Sequence, residues 1–176
     1  MTPPIYISYR SVGFILPTFA GKEIALMPIS KIQDTNDRDW LSLRGEFVPE
    51  LNPEQQANFL QAFARDSAAF SAFIATDGKG MATGFAEVSI RTDYVNGCLH
   101  RPALYLEGIF VRPVCRGQGI ARALCASAEQ WGREQGCREF ASDVYINDFN
   151  SLAAHAGLGF KETERVVYFC KPIFQE

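Results

Sequence analysis

Apolar residues recur along this chain with two periods, one near two and one near 3.6, and the switches between them mark out its elements. Pro28-Ile29-Ser30-Lys31-Ile32 alternates like a short half-buried strand. Thr35 and Asn36 then precede a helical stretch with Trp40, Leu43 and Phe47 on one face, ended by Pro49. Asn52-Pro53-Glu54-Gln55 offers an N-cap, a proline at the first helical position and a glutamine three residues after the cap, so a second helix follows through Phe59, Leu60 and Phe63. Residues 70–76 read as a strand, Asp77-Gly78-Lys79-Gly80 as a turn, and residues 81–90 as the antiparallel partner. A loop through Asp93-Tyr94-Val95-Asn96-Gly97 and His100-Arg101-Pro102 leads into an apolar strand at 103–111.

From about Gly119, Ile120, Leu124, Ala128 and Trp131 line one helical face, with Arg122, Glu129, Gln130 and Arg133 opposite. Gly136 closes that helix. Residues 138–144 read as a strand, 148–158 as a short helix ending at Gly159, and 163–171 as a last strand. The order β-α-α-β-β-β-α-β-α-β predicts an α/β chain, an α+β arrangement on a mixed sheet. The strand-helix-strand unit centred on residue 119 implies a parallel pair, with a ligand at the carboxyl ends of its strands.

The turn inside that unit carries the first chemistry. Arg116-Gly117-Gln118-Gly119-Ile120-Ala121 joins an apolar strand to a helix N-terminus, where unpaired backbone N–H groups and the helix dipole favour an anion such as a pyrophosphate. On spacing alone, Gly-x-Gly before a helix is as often a plain turn. The spacing departs from both the dinucleotide fingerprint and the P-loop.

Composition narrows the field. With 176 residues, 47% of them hydrophobic and 21% charged, the chain suits one domain with a substantial core. A net charge of −3 argues against nucleic acid as a partner and suits a cationic small molecule. Five cysteines, an odd number with no Cys-x-x-Cys pair, and two histidines make neither a disulfide framework nor a metal site, so the expectation is reduced thiols in a cytoplasmic protein. No apolar run approaches the roughly 18 residues of a membrane span. Residues 10–21 faintly imitate a leader peptide, but Pro17 interrupts them; residues 1–26 are expected to be an N-terminal extension of unknown role, and 27–176 the folded domain.

The glycine turn matches Arg/Gln-x-x-Gly-x-Gly/Ala, and so resembles the coenzyme A signature of the GNAT acetyltransferase superfamily. From about Met27 onward the chain resembles its type I aminoglycoside 6'-N-acetyltransferases. The resembling phrases are Gly84-Phe85-Ala86-Glu87-Val88-Ser89-Ile90-Arg91, Asp93-Tyr94-Val95-Asn96-Gly97, Leu106-Glu107-Gly108-Ile109-Phe110-Val111, Ala141-Ser142-Asp143, and Leu158-Gly159-Phe160-Lys161-Glu162-Thr163-Glu164-Arg165-Val166. The resemblance implies a GNAT acyl-CoA N-acyltransferase fold, acetyl-CoA as co-substrate without a metal, an aminoglycoside acceptor, an antibiotic-resistance role and, as in many relatives, a homodimer. It puts acetyl-CoA along Ile109, Phe110 and Val111 and over Arg116, Gly117, Gln118, Gly119, Ile120, Ala121 and Arg122. It puts aminoglycoside contacts at Tyr94, Glu107, Asp143 and Glu164.

Acetyl transfer to an ammonium needs a proton removed from nitrogen and another supplied to the leaving thiolate. Asp143 and Glu107, directly or through water, are assigned the first task, and a backbone N–H at about Ile109 or Phe110 polarises the thioester carbonyl. Glu107, flanked by Leu106 and Ile109, would be costly to bury unpaired, so a cleft with a cationic partner explains it. Relatives carry a tyrosine acid four residues before the Gly-Phe after the last helix; that count lands here on His155. Two positions depart from the family pattern. Val48 stands before Pro49 where relatives have an aromatic residue lining the sugar site, so that wall is either missing or supplied by Phe47, and Asp148 stands where relatives have an asparagine near the coenzyme. Alternatives are a GNAT enzyme for another amine, such as a polyamine or a peptide N-terminus, and a non-catalytic acyl-CoA sensor.

Overall fold

A computed structural model describes residues 27–50, 52–66 and 68–173; the extension expected at residues 1–26 lies outside them. Five strands form one sheet in chain order. They are β1 (Ile29–Lys31), β2 (Phe70–Thr76), β3 (Ala82–Arg91), β4 (Ala103–Val111) and β5 (Phe140–Ala141). The first four pair antiparallel, and β5 runs parallel to β4. Helices α1 (Arg38–Phe47) and α2 (Pro53–Arg65) lie between β1 and β2 in sequence, α3 (Ile120–Glu134) crosses from β4 to β5, and α4 (Phe149–Leu158) follows β5. The mixed sheet and the parallel pair around α3 are those the element order predicts.

Period-two alternation divides the central strands between two apolar layers. Ala86, Val88, Leu104 and Leu106 meet Ile120, Leu124, Ala128 and Trp131 of α3. Phe85 and Phe110, on the opposite face, meet Trp40, Leu43, Phe59 and Phe63 of α1 and α2. Among the described residues no helix is long and apolar enough to cross a membrane.

Local chemistry sets the boundaries. The carboxylate of Asp37, rather than Thr35 or Asn36, caps α1 by accepting from the Trp40 N–H at 2.9 Å. In α2, Asn52 accepts from the Gln55 N–H while Gln55 accepts from the Asn52 N–H, a reciprocal capping box. Asp148 caps α4, and Gly159 closes it with φ +100°.

Two expected strands need correction. The strand expected over 138–144 shrinks to Phe140–Ala141, paired with Leu104 and Tyr105 alone. The cause is a bulge in β4: Glu87 faces Gly108 and Val88 faces Leu106, so Glu107 is an extra residue without a partner on β3. A bulge twists its strand, and the β4–β5 ladder stops just before it. The strand expected over 163–171 is not formed; those residues are irregular and exposed. Its apolar residues satisfy the pattern of a strand, but a strand also needs a ladder, and the edge strand β5 offers only two residues.

Candidate active site

The polypeptide leaves β4 through a 3-10 turn at Pro113–Cys115 and reaches the glycine turn. Gly117 and Gly119 both sit in the left-handed region, at φ +74° and +81°, which L side chains resist. Gly119 is the N-cap of α3, so the turn leads directly into a helix N-terminus, where unpaired backbone N–H groups gather. A side chain added at Gly119 would meet nothing within 4 Å, so the space above the turn is open. Arg116 is folded back, its Nε donating to the Val111 carbonyl at 3.0 Å, and Arg122 donates to the Gly157 carbonyl at 2.8 Å, tying α3 to α4. Gln118 is exposed, Ala121 half-buried and Ile120 buried in the core.

The bulge opens the second part of the site. Beyond Tyr105 no described strand flanks β4 on its β5 side, so the stretch holding Ile109, Phe110 and Val111 is an open sheet edge leading to the glycine turn. Such an edge offers backbone groups to an extended ligand. A buried ion pair fixes it from behind. Arg44 of α1 bonds Glu87 of β3, which also accepts from Trp40 Nε1 at 2.7 Å, and all three are at most 3% exposed. Burial pushes the Glu87 carboxyl above its ordinary range, against the opposing pull of Arg44 and Trp40. Gly108 lies opposite Glu87, where a Cβ would come within 3.2 Å of the Phe47 ring.

At the bulge itself a polar network gathers. Glu107, 22% exposed, accepts from the Ser89 hydroxyl and from Arg91 Nη2 at 3.1 and 3.3 Å. The Arg91 guanidinium carbon lies 3.2 Å from the centre of the Tyr105 ring, and the Tyr105 hydroxyl donates to Asp143. Tyr105 thus stands between the two sequence-predicted carboxylates. Val95, 6% exposed, packs beside it with Ala103 and pins the loop that carries Tyr94.

The remaining predicted residues fall as follows. His155 Nδ1 lies 2.8 Å from the Ser151 carbonyl, which can only accept, so Nδ1 carries a proton; Nε2 lies 3.0 Å from Ser142 Oγ, next to Asp143. Tyr94 is 61% exposed, with the Arg101 guanidinium over its ring. Glu164 is exposed on the irregular tail, brought toward the Tyr94 loop where Gly97 passes Thr163. Val48 is the half-buried residue after α1, while Phe47, also half-buried, packs edge-on against Phe85, 5.6 Å between ring centres. The Asp148 carboxylate is occupied as the α4 cap, accepting from the Ser151 N–H at 3.0 Å.

Sequence reasoning missed Ser89, Arg91, Tyr105 and Ser142. The cation expected for Glu107 exists within the chain itself, as Arg91. Its signal was the phase of β3, where Glu87, Ser89 and Arg91 are polar at every second position and in register with Glu107's strand. Among the described residues no cluster of three metal-ligating side chains occurs. The cysteines are free thiols, and burial pushes Cys125 up to about 12, far from a nucleophile's range.

Comparison with known proteins identifies the family. Residues 32–160 match the Acetyltransferase (GNAT) family. The chain is 42% identical over 134 residues to an aminoglycoside N(6')-acetyltransferase type 1 of Stenotrophomonas maltophilia, covering 76% of this chain and 86% of that one. Among solved structures it is similar to AAC(6')-Iy in complex with the bisubstrate analogue CoA-S-monomethyl-acetylneamine, with 38% identity, TM-score 0.77, and coverage of 84% and 99% of the two chains. It is likewise similar to the aminoglycoside antibiotic 6'-N-acetyltransferase AAC(6')-Ih of Acinetobacter baumannii, with 39% identity, TM-score 0.75 and the same coverage.

Proposed function

From the premise that this chain belongs to the Acetyltransferase (GNAT) family, we propose that it is an aminoglycoside 6'-N-acetyltransferase that confers resistance by acetylating the antibiotic's 6'-amine from acetyl-CoA. The observation that carries the reading is the meeting, at one β4 bulge, of an open strand edge with the carboxylate pair Glu107 and Asp143. An acidic pair suits a polycationic sugar, and removing one of its positive charges weakens its hold on ribosomal RNA.

When bound, acetyl-CoA supplies an acetyl group activated as a thioester. The N-terminus of α3, with Gly117 and Gly119, holds its pyrophosphate, and the edge at Ile109–Val111 receives the pantetheine arm. A backbone N–H at Ile109 or Phe110 stabilises charge on the carbonyl oxygen. Glu107, Asp143, Tyr94 and Glu164 hold the sugar's ammonium groups. Nitrogen gains a bond to carbon as sulfur loses one, and the ammonium sheds two protons: a carboxylate takes the first before attack, and the second, released from the adduct, balances the proton that His155, whose Nε2 faces Ser142, gives to sulfur.

The folded domain, residues 27–176 in this reading, works in the cytoplasm, where both substrates meet. It works as a homodimer: the irregular tail exposes Val166, Val167, Tyr168 and Phe169, each at least 47% accessible, and a second copy supplies the ladder that β5 lacks. The half-buried Val48, in place of an aromatic wall, favours one rival, transfer to a different amine such as a polyamine. Expression in a susceptible bacterium decides between them: the inhibitory concentration of kanamycin and tobramycin should rise, and that of the 6'-hydroxyl compound paromomycin should not. An unchanged kanamycin sensitivity with active protein present would favour the rival.

A further inference from the structure

Turning the ammonium into a nucleophile removes one proton and needs one acceptor, yet two carboxylates border the bulge, and their partners differ in kind. Glu107 faces a full cation, Arg91, with its Oε1 also taken by the Ser89 hydroxyl. Asp143 receives a single neutral donor, the Tyr105 hydroxyl on Oδ1. Burial and the neighbouring Asp143 push the Tyr105 phenol above its ordinary range, so it stays a donor. A proton gained by Glu107 would break its pair with Arg91, whereas one gained by Asp143 breaks only a hydrogen bond to a neutral group.

The register explains how one ring reaches both. Tyr105 and Glu107 lie two apart on β4, and Asp143 lies two beyond Ala141, the parallel partner of Tyr105. Arg91 on β3 reaches over the same ring to Glu107. Resting on the acetyltransferase reading above, we propose that Arg91 and Tyr105 are a positioning unit that divides labour between the carboxylates. Arg91 fixes Glu107 as an anionic anchor for the aminoglycoside, and Tyr105 aims Asp143 as the acceptor of the amine's proton. Each acts through the carboxylate it holds.

Steady-state rates against kanamycin and acetyl-CoA test this, beginning with the unsubstituted enzyme. Absence of turnover there would refute the acetyltransferase reading and these roles with it; turnover leaves the variants to judge the positioning unit alone. Asp143→Asn should lower kcat by about 100-fold, the usual share of a general base. Glu107→Gln should raise the kanamycin KM about tenfold while changing kcat by about threefold or less. Tyr105→Phe keeps the ring beneath Arg91, as circular dichroism and the urea midpoint should confirm. It should lower kcat about fivefold to tenfold, the scale of one hydrogen bond, with the acetyl-CoA KM unmoved. In an Asp143→Asn background the same substitution should cost nothing further. Full additivity of the two, an unchanged kcat in Tyr105→Phe, or equal kcat losses for Glu107→Gln and Asp143→Asn would overturn the proposal.

Discussion

Glu107 occupies the one position where β3 and β4 fail to match residue for residue, and a side chain that the ladder does not commit is available for chemistry. The mismatch is held in place by a costly arrangement behind it, since Arg44 and Glu87 are both almost wholly buried. Arg44→Met should therefore destabilise the protein by about 3 kcal/mol, because it leaves Glu87 without its counter-ion; a urea titration measures this. At the glycine turn, Gly119→Val has room within the protein but must adopt φ +81° and fill the space above the helix N-terminus. We expect the acetyl-CoA KM to rise at least about tenfold, with a stability loss of about 1–2 kcal/mol. Glu107 stands out in the sequence because a carboxylate in an apolar strand is conspicuous, whereas Asp143 at a strand end is singled out only by the family resemblance. Arg91 and Tyr105 could not: an arginine at a strand end reads as a solvated charge and a tyrosine in an apolar run as core, and only the cross-strand register joins them.

Elements whose ends carry their own chemistry were legible to within a residue or two. The Asn52 capping box of α2 is such a case, and Asn52→Ala should cost about 1 kcal/mol in thermal or urea unfolding. Elements that depend on a neighbour were not. The pattern over 163–171 is that of a strand, and nothing local tells that the ladder it needs is missing within one chain. The same holds for β5, shortened by a bulge on another strand. Between these elements, Gly97 sits at φ +77° against the tail, where a Cβ would come within 2.6 Å of Thr163 Cβ. Gly97→Ala should push the Tyr94 loop from the Glu164 segment and raise the aminoglycoside KM more than the acetyl-CoA KM, which paired saturation curves would show. Glu139 anchors the far end of that loop by accepting from the Leu99 and His100 N–H groups, which hold its carboxyl below the usual range. Because the folded value is depressed, this anchor is present at neutral pH and is lost as pH falls through that depressed value, so amide protection at Leu99 and His100 should fall selectively in acid.

For the whole molecule, the sheet brings together two functions built from different material. In the function proposed above, backbone at the α3 N-terminus and the open edge of β4 would receive acetyl-CoA, and side chains from β3, β4 and the segment after β5 would receive the acceptor. The fold class, the parallel pair and the glycine turn follow from periodicity and turn chemistry. The proposed homodimer does not; if it forms, sedimentation at micromolar concentration should show a dimer that charged substitutions at Val167 and Phe169 dissociate. Transfer to a 6'-amine is read by thiol release from acetyl-CoA, with kanamycin, tobramycin, paromomycin and spermidine as acceptors. A 6'-N-acetyltransferase should turn over kanamycin and tobramycin but not paromomycin, whose 6' position is a hydroxyl. Turnover with spermidine alone, or equal turnover with paromomycin, would contradict transfer to a 6'-amine.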